Sequence, residues 1–151
     1  MMTNIDMASL FTELADIMEL AGENHFKIQA YRKAAVTIEG LDTDIQIMTT
    51  ESISKIPGIG KAILEKIETA KISGNFPTLE KWRQSGYGTF LPLLKVPGLN
   101  MRIVRSLLID LKISSIDDLC SAVVSGELEK YNKLPYETVN ILKKFSIQNA
   151  K

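Results

Sequence analysis

Two proline-glycine turns, about forty residues apart, set the terms on which this chain can fold. The first is Ile56-Pro57-Gly58-Ile59-Gly60 and the second Val96-Pro97-Gly98-Leu99-Asn100. Proline fixes φ and gives up its N–H, while glycine enters backbone conformations that other residues avoid and lets another molecule come close. Beyond the first turn, Ile59, Ile63, Ile67 and Ala70 fall on one helical face. Beyond the second, Leu99, Ile103, Val104, Leu107, Leu108 and Leu111 do the same. Each turn therefore feeds the N-terminus of a helix. Such an end presents backbone N–H groups and the positive pole of the macrodipole, a setting that suits a phosphate. A simple packing corner uses the same glycines. A turn used twice favours a reader of nucleic-acid backbone.

The rest of the chain is patterned for helices. Met7, Leu10, Phe11, Leu14, Ile17, Met18 and Ala21 recur with helical spacing, and Gly22 is placed to end that helix. A second helix is predicted from Asn24, with Ile28, Tyr31, Ala34, Ala35, Ile38 and Leu41 inward. Thr50 is placed to cap a short helix leading into the first turn, and Ser115 with Asp118 has the spacing of a capping box. Alternating, strand-like patterning is absent over any useful length. The fold class read from this is all-α, in two small helical domains that each carry a helix-hairpin-helix motif. Asn75-Phe76-Pro77-Thr78 is the breaker between them, giving domains over 1–74 (four helices) and 75–151.

Hydrophobic residues make up 45% and charged residues 24%, the balance of a globular protein, and no apolar run reaches the length of a membrane span. Cys120 is the only cysteine, which excludes a disulfide framework or a cysteine metal site. A cytoplasmic location is the default expectation, with no membrane partner. The net charge is zero. Residues 1–50 carry eight acids against three bases, and the remainder ten against fifteen, so phosphate contacts are expected around the turns.

The run from Asn24 to Ala35 (N-H-F-K-I-Q-A-Y-R-K-A-A), the I-P-G-I-G-K turn and the later V-P-G-L together resemble the N-terminal part of family X DNA polymerases of bacterial type. The resemblance covers roughly Met7 to Lys144. It implies a lyase-like domain followed by a DNA-binding thumb or fingers domain. The family's catalytic palm lies outside the stretch resembled, so nucleotidyl transfer by this polypeptide is not implied. A separate polymerase or nuclease is the partner expected to supply such chemistry.

The resemblance also assigns residues. Lys66 stands where the family lyase has its Schiff-base nucleophile, at the edge of the Ile59, Ile63 and Ala70 stripe. Lys27 and Tyr31 match the phosphate pocket of that lyase, whereas two further basic positions read Ser54 and Ala62. Phe26 stands at a template-stacking position. The hairpins, Pro57, Gly58 and Gly60 in the first and Gly98 and Asn100 in the second, are expected at the DNA backbone, flanked by Lys55, Lys61, Lys95 and Arg102. Asn100 replaces a glycine, and asparagine tolerates left-handed backbone better than most residues, so the turn can survive with altered phosphate contacts. No cofactor is required. The family's hairpins hold a monovalent cation, K+ or Na+, through backbone carbonyls. Here those would belong to Ser54, Ile56 and Ile59, and to Leu94, Val96 and Leu99.

Three readings of function follow. The first is sequence-independent DNA binding of repair type at gaps, nicks, ends or single-strand/duplex junctions. The second is a deoxyribose-phosphate or abasic-site lyase acting through Lys66. The third is a protein-interaction module descended from a repair domain.

Overall fold

The computed structural model describes residues 2–149, and every regular element among them is a helix or a 3₁₀ segment. Two compact units result, one reaching Gly88 and the other starting at Thr89.

The first unit is built on α1 (Asn4–Leu20) and α2 (His25–Glu39). Thr3 starts α1 with a reciprocal cap: its hydroxyl accepts the Asp6 N–H at 3.0 Å and its own N–H donates to the Asp6 carboxylate at 3.1 Å. Asn24 starts α2 by accepting the N–H groups of Phe26 and Lys27 at 2.8 and 3.2 Å. Their facing stripes are fully buried at Phe11, Leu14, Ile17, Ala34 and Ile38. Phe11 sits between the rings of Tyr31 and Phe76, with centroids 6.1 and 5.2 Å away, so its truncation to alanine should remove about 3–5 kcal/mol. Arg32 ties the same pair of helices together, reaching Asp16 and Glu19 at 2.9 Å each.

Two shorter helices flank the first turn: α3 (Thr50–Ser54) and α4 (Lys61–Ser73). The cap of α3 is Thr49 rather than Thr50, its hydroxyl accepting the Ser52 N–H at 3.1 Å. Lys71 locks α4 to the preceding segment by donating to the Met48 carbonyl at 2.7 Å. The next helix, α5 (Pro77–Arg83), begins at the breaker read as a boundary but packs with the first unit. Phe76 and Leu79 are buried, and the Arg83 guanidinium grips Glu13 of α1. That is why the unit runs on past residue 74 to Gly88.

The second unit takes in most of a 3₁₀ segment (Tyr87–Lys95), then α6 (Met101–Leu111), α7 (Ile116–Val124), α8 (Glu127–Lys130) and α9 (Tyr136–Asn149). Leu93, Val104, Leu107, Leu119, Leu128 and Leu142 form its core. Ser115 caps α7 by accepting the Asp118 N–H at 3.0 Å. The Asp118 carboxylate turns instead to the N–H and hydroxyl of Ser114, so the reciprocal half of the expected box goes to the neighbour. Cys120 is half-buried.

Candidate nucleic-acid interface

The two turns share one backbone plan. Ile56 N–H donates to the Ile53 carbonyl at 3.1 Å, Ile59 N–H to Ile56 at 3.1 Å and Leu64 N–H to Gly60 at 2.9 Å. Forty residues on, Val96 donates to Leu93 at 3.2 Å, Leu99 to Val96 at 3.1 Å and Val104 to Asn100 at 2.9 Å. Each turn is anchored inward by buried side chains, Ile53 and Ile59 in the first and Leu93 and Val96 in the second. Gly58 and Gly98 take the same left-handed conformation, φ 94° and 86°. Pro57, Gly58, Pro97 and Gly98 are exposed.

Gly60 and Asn100 depart from the reading that both need unusual backbone. Gly60 lies at φ −82°, ψ 177°, and Asn100 at φ −140°, ψ 176°. Both are extended residues at a helix N-cap, a conformation open to any residue. What separates them is the side chain. Asn100 accepts the Ile103 N–H at 2.9 Å, while α4 has no side-chain cap at all. The first hairpin therefore keeps the orphan N–H donors of a helix end, whereas the second uses one of its own on itself.

Surroundings differ too. A Cβ added to Gly58 would meet the stem of Lys33, with Cε 3.3 Å, Cδ 3.7 Å and Cγ 3.8 Å away. A Cβ on Gly98 would meet Ile141, with Cγ2 3.3 Å away. Both neighbours come from a distant helix, and helical spacing alone does not indicate either contact. Lys61 is the first residue of α4 and is exposed, as are Lys95 and Arg102 beside the second turn. Lys55 is the C-cap residue of α3 and pairs with Glu51 at 3.4 Å on the surface. Among the described residues, Lys27, Lys33 and Lys61 make no ion pair. The excess acid of the first fifty residues is partly consumed inside the fold, since Glu13, Asp16 and Glu19 face Arg83 and Arg32.

Of the carbonyls considered for a cation, Ile56 and Val96 each accept one turn hydrogen bond. A carbonyl has two lone pairs, so one remains on each. Ser54 is the last residue of α3, a helix end where carbonyls lack intrahelical partners. Ile59 is buried, and Leu94 and Leu99 are half-buried. Among the described residues no cluster of three His, Cys, Asp or Glu is arranged to hold a metal.

Lys66 and Tyr31 lie near each other. The half-buried Lys66 places its ammonium 5.7 Å from the centroid of the Tyr31 ring. Lys27 lies one turn before Tyr31 on the exposed side of α2. Ser54 donates its hydroxyl to the Glu51 carbonyl at 2.6 Å, and Ala62 is exposed on α4, so neither supplies charge. Phe26 is 83% exposed in the first turn of α2, with His25 edge-on at 6.1 Å.

Residues 2–76 match the family described as helix-hairpin-helix domain. Over 117 residues the chain is 32% identical to DNA polymerase/3'-5' exonuclease PolX of Bacillus subtilis (strain 168). That stretch is 78% of this chain and 20% of the relative, so the chain spans about a fifth of the protein it matches. No helix among the described residues is long and apolar enough to cross a membrane. The matched residues 2–76 hold the first turn and the buried stripes that support it, so that part of the chain is similar to the helix-hairpin-helix domain family.

Proposed function

We infer that this protein grips the phosphate backbone of DNA without sequence preference, at gaps, nicks or ends, and that the first hairpin is its principal grip. The observation that carries this is the N-terminus of α4, which has no side-chain cap, behind a left-handed Gly58, with Lys61, which makes no ion pair among the described residues, beside it. Backbone N–H groups and a flanking lysine bind a phosphate whatever base it carries. The second hairpin contributes Lys95 and Arg102 and fewer free donors, because Asn100 takes one. The carbonyls of Ser54, Ile56 and Ile59, and of Leu94, Val96 and Leu99, would hold K+ or Na+, which would supply positive charge to a phosphate. The relative's name, a DNA polymerase and exonuclease, agrees with DNA as the ligand. A separate polymerase or nuclease would then act on the end so held.

Fluorescence titration of gapped duplexes of two unrelated sequences tests this reading. Affinity should match between them and fall with salt, as neutralised phosphates release counterions. No binding at low ionic strength would refute it and favour a protein-interaction role.

A lyase reading has one observation behind it, the meeting of Lys66 with Tyr31 beside Lys27. Lys66 would attack the sugar aldehyde at an abasic or 5′-deoxyribose-phosphate end while Lys27 and Tyr31 capture the phosphate. With Ser54 and Ala62 at the remaining positions, the activity should be weak.

A further inference from the structure

Lys33 of α2 packs against the first hairpin at Gly58. Its Cγ, Cδ and Cε line the open side of Gly58, at 3.8, 3.7 and 3.3 Å from where a Cβ would stand. The ammonium is one bond beyond Cε, so it is carried at the first hairpin itself. It makes no ion pair among the described residues, although the neighbouring Arg32 takes two carboxylates of α1. The residue is exposed, so its charge keeps its hydration while its stem is held by packing. At the second hairpin the same place is filled by Ile141, which has no charge to offer.

We propose that Lys33 is the third component of the first hairpin's phosphate site, delivered by α2 rather than by the hairpin's own sequence. The stem packs where Gly58 has no side chain, and the ammonium meets a phosphodiester oxygen of the strand held by the turn. The proposal rests on the reading of the first hairpin as a DNA grip. Glycine at position 58 then has two purposes: it permits φ 94°, and it leaves the channel through which Lys33 reaches the ligand.

The test is a salt titration on gapped duplex with Lys33→Met, which keeps the stem and removes the charge, and Lys33→Arg, which restores charge. Thermal melting of each variant runs alongside, with Lys33→Gln used in place of the methionine variant if the latter melts early. Gly60→Asn, which caps α4, reports separately on the hairpin. Lys33→Met should bind several-fold more weakly, with the slope of log affinity against log salt reduced by about one, and arginine should restore it. Unchanged affinity and slope for Lys33→Met, beside a loss in Gly60→Asn, would overturn the role of Lys33 and leave the hairpin reading standing. Wild-type binding that neither Lys33→Met nor Gly60→Asn weakens would overturn both.

Discussion

Replacing Gly60 by asparagine should make the protein more stable and a poorer DNA binder. Gly60 lies at φ −82°, ψ 177° and a Cβ there meets nothing within 4 Å, so the larger residue enters without strain. Its side chain would do for α4 what Asn100 does for α6, accepting the Ile63 N–H as Asn100 accepts that of Ile103 at 2.9 Å. Glycine at an N-cap is a few tenths of a kcal/mol worse than asparagine. At about 4–8 °C per kcal/mol for a domain this size, the melting temperature should rise by roughly 1–3 °C. The same bond removes a donor from the phosphate. A hydrogen bond to a charged group is worth roughly 1.5–3 kcal/mol, so a loss of affinity of about tenfold or more is expected. Calorimetric melting and a gapped-duplex titration on one preparation give both numbers. A variant that melts higher and binds as well as wild type would refute the assignment of the α4 N-terminus as the phosphate contact.

Gly58→Ala should behave differently, because φ 94° costs an L-residue roughly 1–2 kcal/mol and the cost appears as a lower melting temperature. Asn100→Gly should lower stability by a few tenths of a kcal/mol while strengthening binding, measured by the same two assays. Lys66→Ala should abolish any borohydride trapping on an abasic end and leave gap binding within a few-fold; trapping that survives assigns the chemistry to another amine. The Asp118 carboxyl is held below its ordinary value by the Ser114 N–H and then the Ser114 hydroxyl, and that of Asp6 by the Thr3 N–H and then the Thr3 hydroxyl. A depressed carboxyl stabilises above its unfolded value and loses that contribution as pH falls through its folded one, so melting should decline below about pH 4 and decline less in Asp118→Asn.

The helices around the first hairpin were legible because their periodicity and caps are local: Asn24 starts α2, and Ile59, Ile63, Ile67 and Ala70 are all buried. The two turns were legible for the same reason, as a proline and glycine fix a few consecutive dihedrals. What could not be read were partners distant in sequence. Lys33 over Gly58 and Ile141 over Gly98 depend on how whole helices pack, and neither residue looks unusual on its own helix. Glycine is also ambiguous: Gly58 is needed for its conformation, while Gly60 matters because it lacks a capping side chain. A Pro-Thr breaker marks a bend and not what the following helix packs on, so the sequence alone places α5 beyond the boundary, whereas the Phe76 ring against Phe11 joins its start to the first unit.

The shared hydrogen-bond plan of the two turns has a thermodynamic consequence. Each turn is closed by its own N–H to carbonyl bonds and pinned from beneath by buried aliphatic side chains, so its backbone is ordered before any ligand arrives. Binding then orders little backbone and covers little new apolar surface. Ion release should supply most of the driving force, and the heat capacity of association should change only slightly, unlike the large negative change of a segment that folds as it binds.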